Sequence, residues 1–387
     1  MFVSRLALDD FRSWHQLVVD FEPGLNVLVG ANGLGKTNIV EALEVLSTGS
    51  SHRTTSSAPL VRAGTSKATV RANVEDSGVT TLYEVSIPVR GANRARINSG
   101  KSLYMRDVVG KIPSVTFSPE DQRLVSADPA NRRSFLNQAA SQLLLDYYDA
   151  LQRFNQTAKQ RSALLRQLSQ RQMAGAPVDA ALSGLEIWTG QFIETGMALT
   201  SLRAKVVERL DAPFSRIYRA LAGDRHHARL VYAPSFEEMR QLGVIGEGDA
   251  AADARMNAHA AISQHFQRIY AGEVARAQNL IGPHRDDVIF ELNGLTAREY
   301  ASNGEMWTLA LALKMALFEL LKDGRGDDPL LILDDVFAQL DESRRRQIVD
   351  FAGRQSQVLI TMAAETDMPA GLEANRIDVQ ELIDAAA

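Results

Sequence analysis

The spacing of apolar residues divides the 387-residue chain into strand-like and helix-like stretches. Val3, Leu6 and Leu8 open a strand, and Leu17 to Phe21 and Leu25 to Val29 follow as short runs parted by Pro23-Gly24. The second run, LNVLV, has Asn26 as its one polar residue, which predicts a central strand buried on both faces. Ile39, Val40, Leu43 and Leu46 then recur at helical spacing. Val70, Ala72 and Val74 alternate with polar residues, as do Tyr83, Val85, Ile87 and Val89, which predicts half-buried strands of an antiparallel meander.

The texture changes at Phe117. Ser118-Pro119-Glu120-Asp121 reads as an N-cap with proline at the first helical position, and Asp128-Pro129 repeats the signal. Leu144, Tyr148, Leu151, Phe154, Ala158 and Leu165 form one helical stripe. A second begins with Leu182, Leu185, Trp188, Phe192 and Leu199 after a turn at Met173 to Ala180. Two long helices joined by a short loop predict an antiparallel hairpin. Gly243 to Ala254 reads as a flexible polar loop. Val288 to Leu292 is a strand followed by the hairpin signal Asn293-Gly294. Glu305 to Lys322 is apolar nearly all round, as a buried helix should be, and LLILDD, Leu330 to Asp335, is a buried strand ending in two acids. These changes divide the chain into residues 1–117, 118–280 and 281–387.

Composition narrows the setting. There are no cysteines, which excludes disulfides, thiolate nucleophiles and cysteine metal sites and suits a reducing cytoplasm. No apolar run reaches the roughly 18 residues needed to span a bilayer, and MFVSRLALDDFRSW carries charge too early for a signal peptide. The formal charge, 42 − 47 = −5, gives no global attraction for nucleic acid; such binding needs local basic clusters.

The chemistry begins at LNVLVGANGLGKTN. Gly30-Ala31-Asn32-Gly33-Leu34-Gly35-Lys36-Thr37 fits G-x-x-x-x-G-K-[ST]. Backbone N–H groups of Gly33 to Thr37 should surround phosphate oxygens at a helix start, with Lys36 on the β- and γ-phosphates. Such a loop needs a distant carboxylate to hold Mg²⁺, and LLILDD supplies it. Thr37 and Asp334 would hold the ion, and Asp335 would orient or deprotonate the attacking water of ATP hydrolysis. Lys36 and Asp334 lie 334 − 36 = 298 positions apart, so a helical insertion splits one ATP-binding sheet.

A third element lies at Ser302-Asn-Gly304-Glu305. A serine, a glycine and a helix N-terminus make a second anion site, although the same serine could be only the cap of a core helix. One protein rarely needs two phosphate sites for one ATP, so this site is expected to meet the γ-phosphate of a nucleotide on another copy. Ala338 to Asp341 would lie at that same seam.

Taken together, DFRSW, GANGLGKTN, STGSSHRT, FSPEDQRLV, NRRSFLN, IGPHRDD, SNGEMWTLALALK and LLILDDVFAQLD resemble the RecF family over nearly the whole chain. The resemblance implies an α/β fold: an ABC-type ATPase head, related to SMC proteins, with a mixed sheet and an antiparallel β lobe, interrupted by a helical lobe forming a short antiparallel arm. It also implies a cytoplasmic, ATP-dependent homodimer without a membrane role. That dimer would bind gapped or double-stranded DNA and act with RecO and RecR to help load RecA in recombinational repair and the SOS response. The family's FR motif suggests that Arg12 reaches the nucleotide, although a solvated turn arginine fits as well. His52-Arg53 could line the nucleotide edge, and His284 to Asp287 could form an internal ion-pair turn. For DNA, Arg90, Arg94, Arg96 and Lys101 on an apparent hairpin form the best basic cluster; Arg132-Arg133 and Arg344-Arg345-Arg346 are others.

Departures from the family pattern modify the expectation. The signature usually reads nearer S-Q-G-Q-Q-R; here Glu305 replaces a glutamine and Trp307 stands near the arginine. Many ABC-type heads have Glu after the magnesium Asp, and this chain has Asp335. No histidine flanks Gln357 to Thr361, where a switch residue is common, and Thr361 is the nearest polar group. Slow hydrolysis, with ATP acting as a dimer clamp, follows as the expectation. A transporter ATP subunit would share the loop and signature, but the 298-residue separation and helical insertion oppose it. An SMC-like tether would need far longer arms, and a ring-forming motor would need an arginine finger.

Overall fold

The computed structural model describes residues 1–54, 56–177, 179–240, 249–337, 342–364 and 373–386. Three sheets organise it. The first is antiparallel, ordered β2-β1-β4-β5-β6-β7, and comprises β1 (Phe2–Phe11), β2 (Trp14–Asp20), β4 (Lys67–Asp76), β5 (Val79–Pro88), β6 (Arg94–Ile97) and β7 (Leu103–Tyr104). The second is parallel throughout, ordered β14-β3-β13-β12-β8, from β3 (Gly24–Val29), β8 (Ser114–Phe117), β12 (Leu330–Asp334), β13 (Gln357–Met362) and β14 (Asn375–Asp378). The third joins β9 (Ala228–Ala233), β10 (Asp287–Leu292) and β11 (Leu295–Thr296). Asn293 and Gly294 both take positive φ, 53° and 81°, which forms the two-residue turn their sequence predicts.

The continuous apolar runs of the parallel strands follow from burial on both faces. Leu331 and Leu333 enter one core and Leu330 and Ile332 the other, and Leu28 lies opposite Val27 in the same way. Helix α1 (Lys36–Thr48) fills the second core, between the parallel and antiparallel sheets. The first core is covered by α3 (Pro129–Leu143), entered through the short α2 (Arg123–Ser126), and by two longer helices. These are α5 (Asp179–Ala222) and α8 (Asn303–Arg325), the latter following the one-turn α7 (Ala297–Tyr300). The all-round apolar pattern of α8 corresponds to burial from Met306 to Leu321.

The expected helical hairpin is present. Helix α4 (Tyr147–Met173) packs on α5, and the contacts Leu164–Gly184, Arg161–Thr189 and Tyr147–Arg203 run in opposite directions along the two helices. Its core is fastened by charge as well as apolar contact. Arg161, 1% exposed, donates to both oxygens of Glu273 at 2.9 and 2.6 Å and lies over the Phe266 ring.

Glu273 belongs to α6 (Asp249–Arg276), which corrects one expectation. Of the polar segment Gly243 to Ala254, residues 243–248 lie outside the described residues, but the chain is helical from Asp249 onward. Alanine-rich composition favours helix without large apolar residues, and the buried face, Ala258, Ile262 and Phe266, recurs every four positions. Helices α9 (Glu342–Ala352) and α10 (Val379–Ala386) flank β13 and β14 in the chain.

Candidate nucleotide site and signature face

The candidate phosphate loop leaves β3 and enters α1. Gly33 and Gly35 have φ of 91° and 93°, which side chains rarely adopt. Gly35 is also crowded: a Cβ there would stand 2.8 Å from Ser13 Oγ and 2.9 Å from Trp14 Nε1. Trp14 Nε1 donates to the Gly35 carbonyl at 3.2 Å, so the β1–β2 turn braces the loop. Gly35 caps α1 without a side-chain hydrogen bond, leaving the helix start to offer backbone N–H groups.

Lys36 is 6% exposed and folds back onto the loop, donating to the carbonyls of Gly30 (2.6 Å) and Ala31 (2.9 Å). Burial lowers its pKa against the opposing pull of Asp335 and Asp334. Asp334 stands at the carboxyl end of β12 and accepts from Thr37 Oγ1 at 3.0 Å, closing a gap of 297 residues. β12 is not adjacent to β3, because β13 lies between them. The intervening strand contributes Thr361, whose hydroxyl donates to the same Asp334 oxygen at 2.6 Å. Burial raises the Asp334 carboxyl despite these two hydrogen bonds. Asp335 follows with a φ of 54° and donates its N–H to Thr361 Oγ1 at 3.0 Å. A non-glycine residue at positive φ is strained, and such strain concentrates at functional sites.

Two buried acids on α1 were not legible as site residues. Glu41, 1% exposed, accepts from Arg12 Nε (2.9 Å) and Nη2 (2.5 Å), from Arg53 (2.8 Å) and from Ser51 (2.5 Å). Burial would raise its pKa, but Arg12, Ser51 and Arg53 together hold it below the ordinary value. Arg12, at a φ of 53°, also donates to the Pro59 carbonyl, so it is anchored rather than a solvated turn residue. Glu44, 3% exposed, accepts from the His52 N–H at 3.1 Å and pairs with the ring at 2.6 Å. Burial opposes protonation of His52, but Glu44 outweighs it and the pKa is raised. The available signal was two charges, three positions apart, on a helix otherwise buried all round.

Ser302 caps α8 in a reciprocal box. Its Oγ accepts from Glu305 N–H at 3.3 Å, and its own N–H and Oγ donate to Glu305 Oε2 at 2.8 and 2.7 Å. The bland reading of this serine is therefore realised within one chain. Gly304 lies against Arg344, and the Arg344 guanidinium lies 5.9 Å from the centre of the Trp307 ring. Residues 338–341, expected at the same seam, lie outside the described residues.

The family model described as RecF/RecN/SMC N terminal domain matches residues 2–381. A "DNA replication and repair protein RecF" from Bifidobacterium longum subsp. infantis is 60% identical over 388 residues, covering 100% of this chain and 91% of the relative. The chain belongs to the RecF family. A protein of the same description from Bifidobacterium adolescentis is 61% identical, covering 99% of this chain and 92% of the relative. The fold is similar to a solved structure described as the recombination mediator protein RecF-ATPrS in the RecFOR pathway, with TM-score 0.81, 25% identity and 97% of each chain covered. A second, described as RecF-ATP, has TM-score 0.80 at 25% identity, covering 95% of this chain and 93% of the other.

Two of the segments that carried the RecF resemblance meet where α3 packs on β10. In NRRSFLN, Arg132 donates to both oxygens of Asp287 at 2.6 and 3.0 Å, and Arg133 donates to the Asp286 carbonyl at 2.9 Å. Asp286, 1% exposed, accepts from Arg203 (2.9 Å), Tyr232 (2.5 Å) and the Ser235 N–H (2.8 Å). IGPHRDD is thus an internal ion-pair turn, and Arg132 is 5% exposed, which removes it as a DNA contact. Arg345 donates to the Phe337 carbonyl at 2.9 Å. By contrast, Arg90, Arg94, Arg96 and Lys101 are all exposed, on or beside β6. Arg94 lies 4.4 Å from the centre of the Tyr104 ring, and Arg96 lies 3.9 Å from Glu84. Among the described residues no helix is long and apolar enough to cross a membrane.

Proposed function

We propose that this RecF-family chain is an ATP-dependent DNA-binding protein of recombinational repair and replication. It hydrolyses ATP slowly and is stimulated by DNA. The observation that carries the reading is the Thr37–Asp334 hydrogen bond, which joins the phosphate loop to an acid 297 residues away. Backbone N–H groups of Gly33 to Thr37 take the phosphates, Lys36 turns from the loop carbonyls to the γ-phosphate, and Arg12 stands beside the loop. Asp335 orients the attacking water; its carboxylate is one methylene shorter than glutamate, which favours slow turnover.

Magnesium fits this site. Thr37 and Asp334 offer two hard oxygen donors 3.0 Å apart at the end of a strand, and Mg²⁺ commonly takes one or two protein oxygens with phosphate and water completing its octahedron. When bound, the ion neutralises charge between the β- and γ-phosphates.

Two copies would sandwich ATP, with Ser302 and Gly304 of one facing the phosphate held by Lys36 of the other. The resulting cytoplasmic homodimer is a clamp on gapped or double-stranded DNA, engaging it through Arg90, Arg94, Arg96 and Lys101 without base recognition. RecO- and RecR-type proteins are its partners in helping RecA loading. Residues 1–117 and 281–387 form the ATPase head in this reading, and residues 118–280 form the helical lobe. The names of the relatives and the ATP in the similar structures support this reading. The test is ATP turnover with and without gapped duplex. Weak basal turnover stimulated by DNA and abolished by Lys36→Ala is expected. Rapid turnover without DNA would contradict the clamp.

A further inference from the structure

We propose that the cleft between the antiparallel sheet and helices α3 and α4 is a binding site for a single strand of nucleic acid, adjoining the basic patch on β6. The inference rests on the DNA-binding reading above and adds a ligand class that the patch alone does not select.

The first observation is size. The cleft encloses about 800 Å³, within the roughly 300–1,000 Å³ of ligand pockets. One wall is the Gly91–Asn93 turn with Tyr104 to Arg106, the other is α3 and α4, and Thr48 to Ser51 line it as well. A few nucleotides of one strand fill such a space, and a duplex is too broad for it. The second is charge. Among the described lining residues the charged ones are Arg106, Arg133 and Asp149. Asp149 is already paired, with Arg106 at 3.0 Å and Arg153 at 2.6 Å. The Arg133 side chain donates to the Asp286 carbonyl at 2.9 Å and, among the described residues, pairs with no carboxylate. A phosphate would supply that partner. The third is hydrogen-bonding capacity. Arg133, Ser134, Asn137 and Ser141 recur at helical spacing on the cleft face of α3, while Phe135, Leu136, Ala139 and Ala140 are buried behind it. Asn137 Oδ1 accepts from Tyr147 and Arg203, which leaves its amide N–H groups for the cleft. Among the described residues, the side chains of Ser134 and Ser141, with Gln152 and Asn155 on α4, make no intramolecular hydrogen bonds. Neutral donors and acceptors of this kind suit phosphate, sugar and base edges without imposing a sequence. The fourth is stacking. Tyr104 is 53% exposed, and the guanidiniums of Arg94 and Arg106 lie 4.4 and 4.9 Å from its ring centre. Such a platform stacks unpaired bases, whose faces a duplex keeps covered. Arg94 belongs to the basic patch, so patch and cleft are continuous.

The test is fluorescence anisotropy of the full chain with ATP·Mg, using labelled oligo-dT as the single strand and a blunt duplex as the comparison. Gln152→Glu with Asn155→Asp adds negative charge at two exposed positions of the cleft. That variant should bind oligo-dT roughly tenfold more weakly at low salt, with duplex affinity within about twofold of wild type. Tyr104→Ala should also weaken oligo-dT binding roughly tenfold, the value of one stacked base, and Tyr104→Phe should not; this pair serves if the acidic variant does not fold. The proposal is overturned if the acidic variant binds oligo-dT like wild type, if it loses oligo-dT and duplex equally, or if the wild type binds duplex but no oligo-dT. If the wild type binds neither, the DNA-binding reading itself fails.

Discussion

Replacing Thr361 with valine removes one buried hydroxyl from the candidate nucleotide site and almost no volume. Thr361 is 1% exposed. Its hydroxyl donates to Asp334 at 2.6 Å and accepts from the Asp335 N–H at 3.0 Å. The Asp335 N–H retains a second, longer bond to the Thr361 carbonyl at 3.3 Å, so little is lost on that side. The loss falls on Asp334, a 5% exposed carboxylate reduced from two hydroxyl donors to one. A hydrogen bond to an ionised group contributes about 1.5–3 kcal/mol, so Thr361→Val should destabilise by about 2 kcal/mol near neutral pH without nucleotide or magnesium. Thr361→Ser keeps the hydroxyl and loses a methyl, for about 1 kcal/mol.

The pH dependence gives a second handle. Burial already raises the Asp334 pKa in the folded protein, and removing a donor that lowers it raises it further. A carboxyl with a raised folded pKa contributes stability when protonated and loses it as pH rises through that value. The Thr361→Val deficit should therefore shrink as pH falls toward the ordinary carboxylate value of 3.8. Urea midpoints at several pH values measure this. A valine variant no less stable than the serine variant, or a deficit independent of pH, would refute the assignment of Thr361 as the support of Asp334.

Arg161→Met should cost about 3–5 kcal/mol in chemical unfolding, because it strands the fully buried Glu273; Arg161→Met with Glu273→Met should recover most of this, and an unaffected single variant would mean the pair does not fasten the arm. His52 has a pKa raised above 6.5, so its pair with Glu44 stabilises fully below pH 6.5 and is lost as pH rises through the folded value. Thermal melts should show His52→Gln destabilised by roughly 1.5 kcal/mol at the acid end and converging on wild type at the alkaline end; a constant difference would contradict the charged pairing. Arg94→Ala with Arg96→Ala should weaken duplex DNA binding and flatten the log–log salt slope by about 2 while sparing ATP binding; unchanged affinity removes this patch from the account.

The parts of this structure legible in the sequence are those whose signal is local. The glycine loop, LLILDD, the Asn293-Gly294 turn and the all-round apolar α8 each declare themselves within about twenty residues. The order of the parallel strands does not, because crossovers decide it, and no local pattern places β13 between β3 and β12. Arg132 and Arg133 read as surface charge because Asp287 and Asp286 lie 155 and 153 positions away. Helix α6 was partly obscured because alanine supplies helix propensity without apolar contrast. Glu41 could be recognised as a clasp only once Arg12 and Arg53, from separate turns, were seen to converge on it.

The most direct measurement of the central claim is sedimentation of the Asp335→Asn protein with saturating ATP·Mg. Neutralising Asp335 should block hydrolysis while leaving Thr37, Asp334 and Lys36 in place. Two half-sites closing over shared nucleotide predict a stable dimer that dissociates when ATP is withdrawn and does not form in Ser302→Ala. A monomer at every ATP concentration, with nucleotide demonstrably bound, would contradict the account.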